Sequence, residues 1–255
     1  MTWDPDRYLT FADERGRPFA DLVARIGADA PARVVDLGCG AGNLTGTLAR
    51  RWPGADVAGF DSSPEMIATA LRDPGRVSYE VLDLEAWLGR GERADVVISN
   101  AMLQWVPGHL ALLPQLVAAV EPGGWLGFQV PGNFAEPSHT ILRALAAEEP
   151  YAAATAGVRH PDAHDAAAYL RALQDLGCAV DAWETTYLHV LHGPDPVFTW
   201  ISGTGARPVL AALDDTLRER FVDEYKERLR TAYPDDAHGV VLPFRRVFVV
   251  ARVAG

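Results

Sequence analysis

The run Val34-Val35-Asp36-Leu37-Gly38-Cys39-Gly40-Ala41-Gly42-Asn43 constrains this chain more than any other segment. Two β-branched residues lead into a turn with glycine at alternate positions, and a helical pattern at Leu44, Leu48 and Trp52 comes next. A strand, a glycine loop and a helix start, in that order, let backbone approach a nucleotide-like ligand closely. The spacing is G-x-G-x-G, with Asn43 where the dinucleotide fingerprint G-x-G-x-x-G carries its third glycine.

Beyond this loop, strand and helix patterns alternate. Asp56–Asp61 reads as a strand and Ser63–Ile67 as a helix start, with Pro64 in the first turn, where proline is favoured. Val77–Leu82 gives a third strand ending at Asp83, and Ala94–Asn100 a fourth, apolar enough for burial on both faces. A helix over 110–120 and a strand over 125–130 continue the pattern. Downstream come an Ala-rich helix over 162–176, a long strand over 180–191, helical segments near 196–202 and 216–232, and a closing strand over 247–253. Seven strands alternating with helices predict a doubly wound, Rossmann-like α/β sheet. The stretch 193–238 is too long for a hairpin loop and reads as a helical cap, and residues 1–30 as an N-terminal cover on a single domain.

Composition narrows the partners. The 255 residues carry a formal net charge of −11, which speaks against a nucleic-acid face because phosphate contacts need clustered cations. An anionic substrate would then need a local cluster of Arg, His and backbone N–H groups, since the overall field opposes it. No apolar run reaches the ~18–20 residues of a membrane span. The first residues lack a basic and apolar leader, and there are two cysteines, so a reducing cytoplasm is expected. His160 and His164 are four apart, but Pro161 lies between them and no third ligand is near in sequence, so no metal is expected.

In a sheet of this kind ligands sit outside the carboxyl ends of the strands. Asp36, Asp61 and Asp83 end the first three strands. Asp61, nineteen residues after Gly42, is placed to accept from both ribose hydroxyls. Asp83 is placed to accept from an adenine amine, with Leu84 and Trp87 near the ring face. The glycines let backbone pass under a methionine tail. The early third glycine and the acid at 83 together turn the reading from a nicotinamide dinucleotide to S-adenosylmethionine.

Three segments carry a family resemblance: Val35–Asn43, Gly59-Phe60-Asp61-Ser62-Ser63-Pro64-Glu65-Met66-Ile67, and Ser99-Asn100-Ala101-Met102-Leu103-Gln104-Trp105. They resemble class I S-adenosylmethionine-dependent methyltransferases. Further segments are similar to the trans-aconitate 2-methyltransferases: Trp3–Leu9 with Glu14–Pro18, Asn133–His139, Trp183–His189, Trp200–Pro208 and Pro243–Phe248. The likeness spans nearly the whole chain and departs from the family over 149–165. It implies a mostly parallel sheet with an antiparallel last strand. It further implies a cytoplasmic monomer that takes a small tricarboxylate and methylates one of its carboxylates. The cofactor contacts it implies are Asp36, Gly38, Gly40, Gly42, Asn43, Asp61, Ser62, Met66, Asp83, Leu84 and Asn100, with Tyr8 and Arg17 from the N-terminal segment.

A carboxylic acid is already ionised at neutral pH, so the acceptor needs no general base, only positioning and exclusion of water. Cations should hold the carboxylates that do not react. Arg207 lies in the cap segment, and its planar fork matches a carboxylate. Tyr187 and His189 share one strand face, His189 being either a packing residue or an acceptor contact. Asn133 and His139 come after the fifth strand, as acceptor contacts or as caps of the helix near Pro137. Arg245 either faces the site or pairs with Asp235 or Asp236. Gln104 and Trp105 are expected to wall the reacting methyl. Three rivals remain open: another small acid or natural product as acceptor, an NAD(P)-dependent oxidoreductase, and a non-catalytic cofactor sensor.

Overall fold

In the computed structural model, residues 12–255 are described; Tyr8 lies outside them. Seven strands form one mixed, mostly parallel sheet in the order β3-β2-β1-β4-β5-β7-β6. They are β1 (Arg33–Leu37), β2 (Asp56–Asp61), β3 (Val77–Val81), β4 (Ala94–Asn100), β5 (Val120–Pro131), β6 (Ala179–Leu191) and β7 (Val240–Arg252). Strands β1 to β5 pair in parallel, with Asp36 level with both Gly59 and Ile98, and Asn100 level with Gln129. The last strand reverses. Gly132 N donates to Arg245 O at one end of β7 (2.8 Å), and Val253 N to Gly124 O at the other (2.9 Å), so β7 runs antiparallel to β5.

The chain divides into two compact units. The first, residues 1–130, 164–185 and 246–255, holds the parallel strands. Its central strands are apolar because both faces are covered: Val34, Val35, Val96 and Val97 have no exposed surface. Helix α1 (Ala12–Ala24) brings Leu22 against Gly127, and Ile26 just beyond the helix packs there too. A side chain at 127 would press on the Ile26 Cδ1 at 3.0 Å. Helices α2 (Thr45–Arg51), α3 (Pro64–Ala70) and α4 (Leu84–Gly89) succeed the first three strands. Ser63 Oγ and Asp83 Oδ1 cap α3 and α4, accepting from Met66 N and Ala86 N. The expected helix over 110–120 is shorter, a 3-10 turn over His109–Leu112 and then α5 (Leu113–Ala118), because Pro114 belongs at a helix start. Near the last strand, Trp183 and Phe248 stack at 4.9 Å with ring planes 4° apart.

The second unit, residues 131–163 and 186–245, is larger than the cap expected over 193–238, because the segment after β5 joins it. Its helices are α6 (Pro137–Ala146), α7 (Ala152–Thr155), α9 (Pro196–Ser202), α10 (Arg207–Ala212) and α11 (Asp215–Ala232); α8 (Ala166–Gln174) belongs to the first unit. Two phenols fasten the first turn of α6 to α11 and the residue after it. Tyr225 Oη donates to Ser138 O, and Ser138 N donates to Tyr233 Oη (3.0 Å). Tyr151 meets Phe221 edge-on at 5.0 Å beneath the same helix. Because Tyr225 and the Ser138 carbonyl are buried, removing the hydroxyl strands an acceptor. Tyr225→Phe is expected to lower stability by about 1–3 kcal/mol, read as a fall in Tm of roughly 2–4 °C per kcal/mol.

Candidate active site

One cavity of the first unit opens at the carboxyl ends of β1 to β4. Gly38 and Gly40 line it from the loop after β1, Asp61 and Ser62 from the end of β2, and Asp83 and Leu84 from the end of β3. Asn100, Ala101, Met102 and Trp105 line it from the end of β4 onward, and Met66 enters from α3. Apart from Met66, these are positions at or just beyond strand ends, so the parallel sheet brings together residues far apart in sequence.

Asp61 is the most constrained of them. Its Oδ2 accepts from Gly40 N and its Oδ1 from Ser63 N, both at 2.9 Å. Burial raises its pKa, and the two backbone donors oppose that rise. Each oxygen keeps lone-pair capacity for a ligand hydroxyl. Asp83 commits Oδ1 to the α4 cap while lining the cavity, so helix cap and ligand contact are compatible roles for one carboxylate.

The cavity suits S-adenosylmethionine on two counts. Gly38 adopts φ +78°, and a Cβ there would stand 2.5 Å from Met102 Cβ, closing the cradle. Among the described lining residues there are two carboxylates and no Lys or Arg. A diphosphate would meet uncompensated like charge in such a site, whereas a sulfonium with ribose hydroxyls and an adenine amine meets acceptors. Gly38, Gly40, Asp61, Ser62, Met66, Asp83, Leu84 and Asn100 could hold it.

Other expected contacts fall elsewhere. Asp36 is 3% exposed, does not line the cavity, and accepts from Thr45 Oγ1 at 2.6 Å. Gly42 (φ +78°) and exposed Asn43 line a separate depression with Arg50 and Arg76. A Cβ at 42 would press on the Tyr79 hydroxyl at 2.6 Å, so this glycine makes room for Tyr79. Arg17 is exposed on α1 and is not among the described residues that line the cavity. Trp87 lies behind the wall, 6.2 Å from the ring of lining residue Phe60. Trp105 lines the cavity, whereas Gln104 donates through Nε2 to Ala101 O. That bond steadies a residue at φ +55°, an uncommon conformation for alanine, at the ligand edge. Leu37, Phe60 and Leu82 also line the cavity, at or just past the ends of β1, β2 and β3, as does Val106 after the turn that carries Trp105.

All six acceptor candidates fall in the second unit. Tyr187 and His189 are each 6% exposed, with nearly parallel rings 6.2 Å apart, and His189 also meets Trp200 at 4.7 Å. Burial, with Arg143 and His160 adding repulsion, lowers the His139 pKa from 6.5 to about 4, so that ring is neutral at pH 7. The ring lies edge-on to Phe134 at 5.0 Å, and a Cβ at Gly205 would meet its Cε1 at 2.6 Å. Neither Asn133 nor His139 caps α6 with its side chain. Asn133 is 2% exposed, and its Oδ1 has no hydrogen-bond partner among the described residues. Arg245 Nε donates to Gly132 O (2.8 Å), a different partner from the aspartates considered for it. Arg207 opens α10, half-buried.

Among the described residues no group of three His, Cys, Asp or Glu is arranged to hold a metal ion, and no helix is long and apolar enough to cross a membrane.

Comparison with known proteins gives a consistent picture. A family described as a methyltransferase domain matches residues 11–182. Trans-aconitate 2-methyltransferase of Streptomyces avermitilis is 51% identical, over 98% of this chain and 96% of its own length. The Mycobacterium marinum protein of the same name is also 51% identical, over 99% and 97%. Among solved structures, the [4+2]-cyclase SpnF aligns over 100% of this chain and 87% of its own, with a TM-score of 0.57 and 15% identity. Haemonchus contortus phosphoethanolamine N-methyltransferase 2 in complex with S-adenosyl-L-methionine aligns over 94% of this chain, with a TM-score of 0.55 and 18% identity. This chain spans about half the length of that protein, 53%. A cyclase and an N-methyltransferase on one scaffold show that the sheet alone does not specify the reaction.

Burial raises the Asp36 pKa from 3.8 to about 7, despite the Thr45 hydrogen bond. Between those values the folded chain holds a proton that the unfolded chain has released, so this group's contribution makes stability fall as pH rises. From pH 5 to 7 that amounts to about 2–3 kcal/mol, or roughly 5–10 °C in Tm. Asp36→Asn, which can still accept from Thr45, is expected to remove most of that fall in a Tm series from pH 5 to 8.

Proposed function

Because the chain belongs to the trans-aconitate 2-methyltransferase family of S-adenosylmethionine-dependent methyltransferases, we propose that it methylates one carboxylate of trans-aconitate and releases S-adenosylhomocysteine. The observation that carries this reading is the reach of the likeness. The relatives, about half identical overall, align over 98–99% of the chain, so the aligned length takes in the second unit, where the acceptor candidates lie, as well as the cofactor half.

When bound, S-adenosylmethionine supplies a methyl on a cationic sulfur, which a carboxylate oxygen takes directly, leaving a neutral ester and a thioether with no proton to move. The chain's own residues bind and exclude water. Asp61, its two oxygens oriented by Gly40 and Ser63, accepts from the ribose hydroxyls, and Asp83 from the adenine amine. Gly38 keeps the cradle open, and Leu84, Met102 and Trp105 make it apolar. No general base is needed, and His139, neutral at pH 7, serves as a polar contact rather than a cation. Arg207 keeps its charge when half-buried, although burial lowers its pKa, and clamps a carboxylate that does not react. A water held by that ligand donates to Asn133 Oδ1, and Tyr187 and His189 shape the wall. We further read the protein as a cytoplasmic monomer whose partner is a small tricarboxylate, not a nucleic acid.

The test is a panel of acids with methyl-labelled S-adenosylmethionine, scored for base-labile ester. Trans-aconitate is expected to be the best acceptor; turnover confined to amines or phenols would overturn the reading. Asp61→Ala is expected to weaken S-adenosylhomocysteine binding about 10-fold or more in calorimetry, through lost charge-assisted hydrogen bonds. Arg207→Ala should raise the acceptor KM by about 10-fold while leaving that binding unchanged; a wild-type KM would remove Arg207 from the site.

A further inference from the structure

Asp61 holds the loop after β1 on its cavity side, and a second side chain holds the same loop from behind. Tyr79, in the middle of β3, is level with Gly59 of β2, and its hydroxyl donates to Gly42 O at 3.1 Å. Two glycines make room for it. A Cβ at 42 would stand 2.6 Å from the hydroxyl and 2.8 Å from the ring, and a Cβ at 59 would stand 2.9 Å from the ring. Burial pushes the Tyr79 pKa from 10.0 up to about 12, so the hydroxyl keeps the proton that it donates. The glycines of the loop therefore divide by side. Gly38 and Gly40 line the cavity, whereas Gly42 and Tyr79 line the separate depression with Arg50 and Arg76.

Gly42 is also a junction of the loop's own backbone bonds. Its carbonyl accepts from Gly46 N at the start of α2 (3.1 Å), and its N–H donates to Cys39 O (3.2 Å). The turn closed by that second bond contains Gly40, whose N–H Asp61 holds at 2.9 Å. A loop with glycine at 38, 40 and 42 has more conformations to lose than one with side chains at those positions. Asp61 on the near side and Tyr79 on the far side restrict it, and a loop fixed before binding lowers the ordering cost that a ligand must meet. Tyr79 does not line the cavity, so its influence on a ligand there runs through Gly42.

We propose that Tyr79 is a positioning residue for the cofactor: by holding the Gly42 carbonyl it fixes the glycine loop in the shape that receives S-adenosylmethionine. This rests on the reading of the cavity as the cofactor site. Tyr79→Phe tests it, because the ring still fills the space left by Gly42 and Gly59 and only the hydroxyl is lost. Calorimetry well below the Tm is expected to show the Kd of S-adenosylhomocysteine rising about 3- to 10-fold. The KM of S-adenosylmethionine should rise in parallel, while kcat and the acceptor KM at saturating S-adenosylmethionine hold. A merely structural role would lower the Tm and leave that Kd alone, which overturns the proposal. Weaker acceptor binding with cofactor binding unchanged overturns it too. Gly42→Ala gives a second measurement. A methyl at 42 displaces the hydroxyl, so the double variant Gly42→Ala with Tyr79→Phe should bind S-adenosylhomocysteine no more weakly than Gly42→Ala alone, whereas effects that multiply count against the pair. In the ligand-free protein, amide hydrogen exchange at Gly40, Gly42 and Gly46 should quicken in Tyr79→Phe. If wild type does not bind S-adenosylhomocysteine, the cofactor reading of the cavity fails. Exchange at those glycines still decides whether Tyr79 shapes the loop, and unchanged exchange overturns the proposal.

Discussion

The site depends on one carboxylate and the two backbone amides it holds. Asp61 accepts from Gly40 N in the loop after β1 and from Ser63 N at the start of α3. That ties the ends of two adjacent parallel strands to one group, with Gly38 N and Cys39 N held in turn by Phe60 O. The glycine loop therefore has a fixed shape before any ligand arrives. Preorganisation of this kind lowers the ordering cost of binding. It also explains why an acid is tolerated there against the cost of burial: the two amides are solvent substitutes that water could not provide in the same geometry.

From that anchor the sheet distributes chemistry by strand. Carboxylates stand at the ends of β3 and β2, glycine at β1, and amides at β4 and β5, with an arginine reaching in from β7. A sulfonium is complementary in sign to the carboxylate side.

What the sequence discloses depends on how local the cause is. Gly38, Asp61 and Asp83 are legible because a strand end succeeded by a cap or turn is written in consecutive residues. Asp36 looks equivalent in sequence, yet strand alternation turns it inward to Thr45. Gly42 reads as part of the ligand loop, but its partner is Tyr79, thirty-seven residues away on β3. The Gln129–Arg246 pair joins residues 117 apart and exists only because β7 inserts antiparallel between β5 and β6. No periodicity encodes that insertion. The second unit exceeds its expected bounds for a similar reason: the segment after β5 joins it through Tyr225, Tyr233 and Ser138, a tertiary contact between helices.

The fastening of α6 has a consequence for working conditions. Its bonds run between phenols and a backbone amide and carbonyl, none of them charged, and burial pushes the Tyr225 hydroxyl far above neutral pH. Exposed ion pairs such as Glu148–Arg228 weaken as salt screens them over a Debye length of about 8 Å at physiological ionic strength. The phenolic bonds do not. Ionic strength should therefore change the encounter with a multiply charged anion, by screening the field of a chain of formal charge −11, without loosening the helix start that carries Ser138 and His139, so that salt acts on arrival and leaves the scaffold's shape alone.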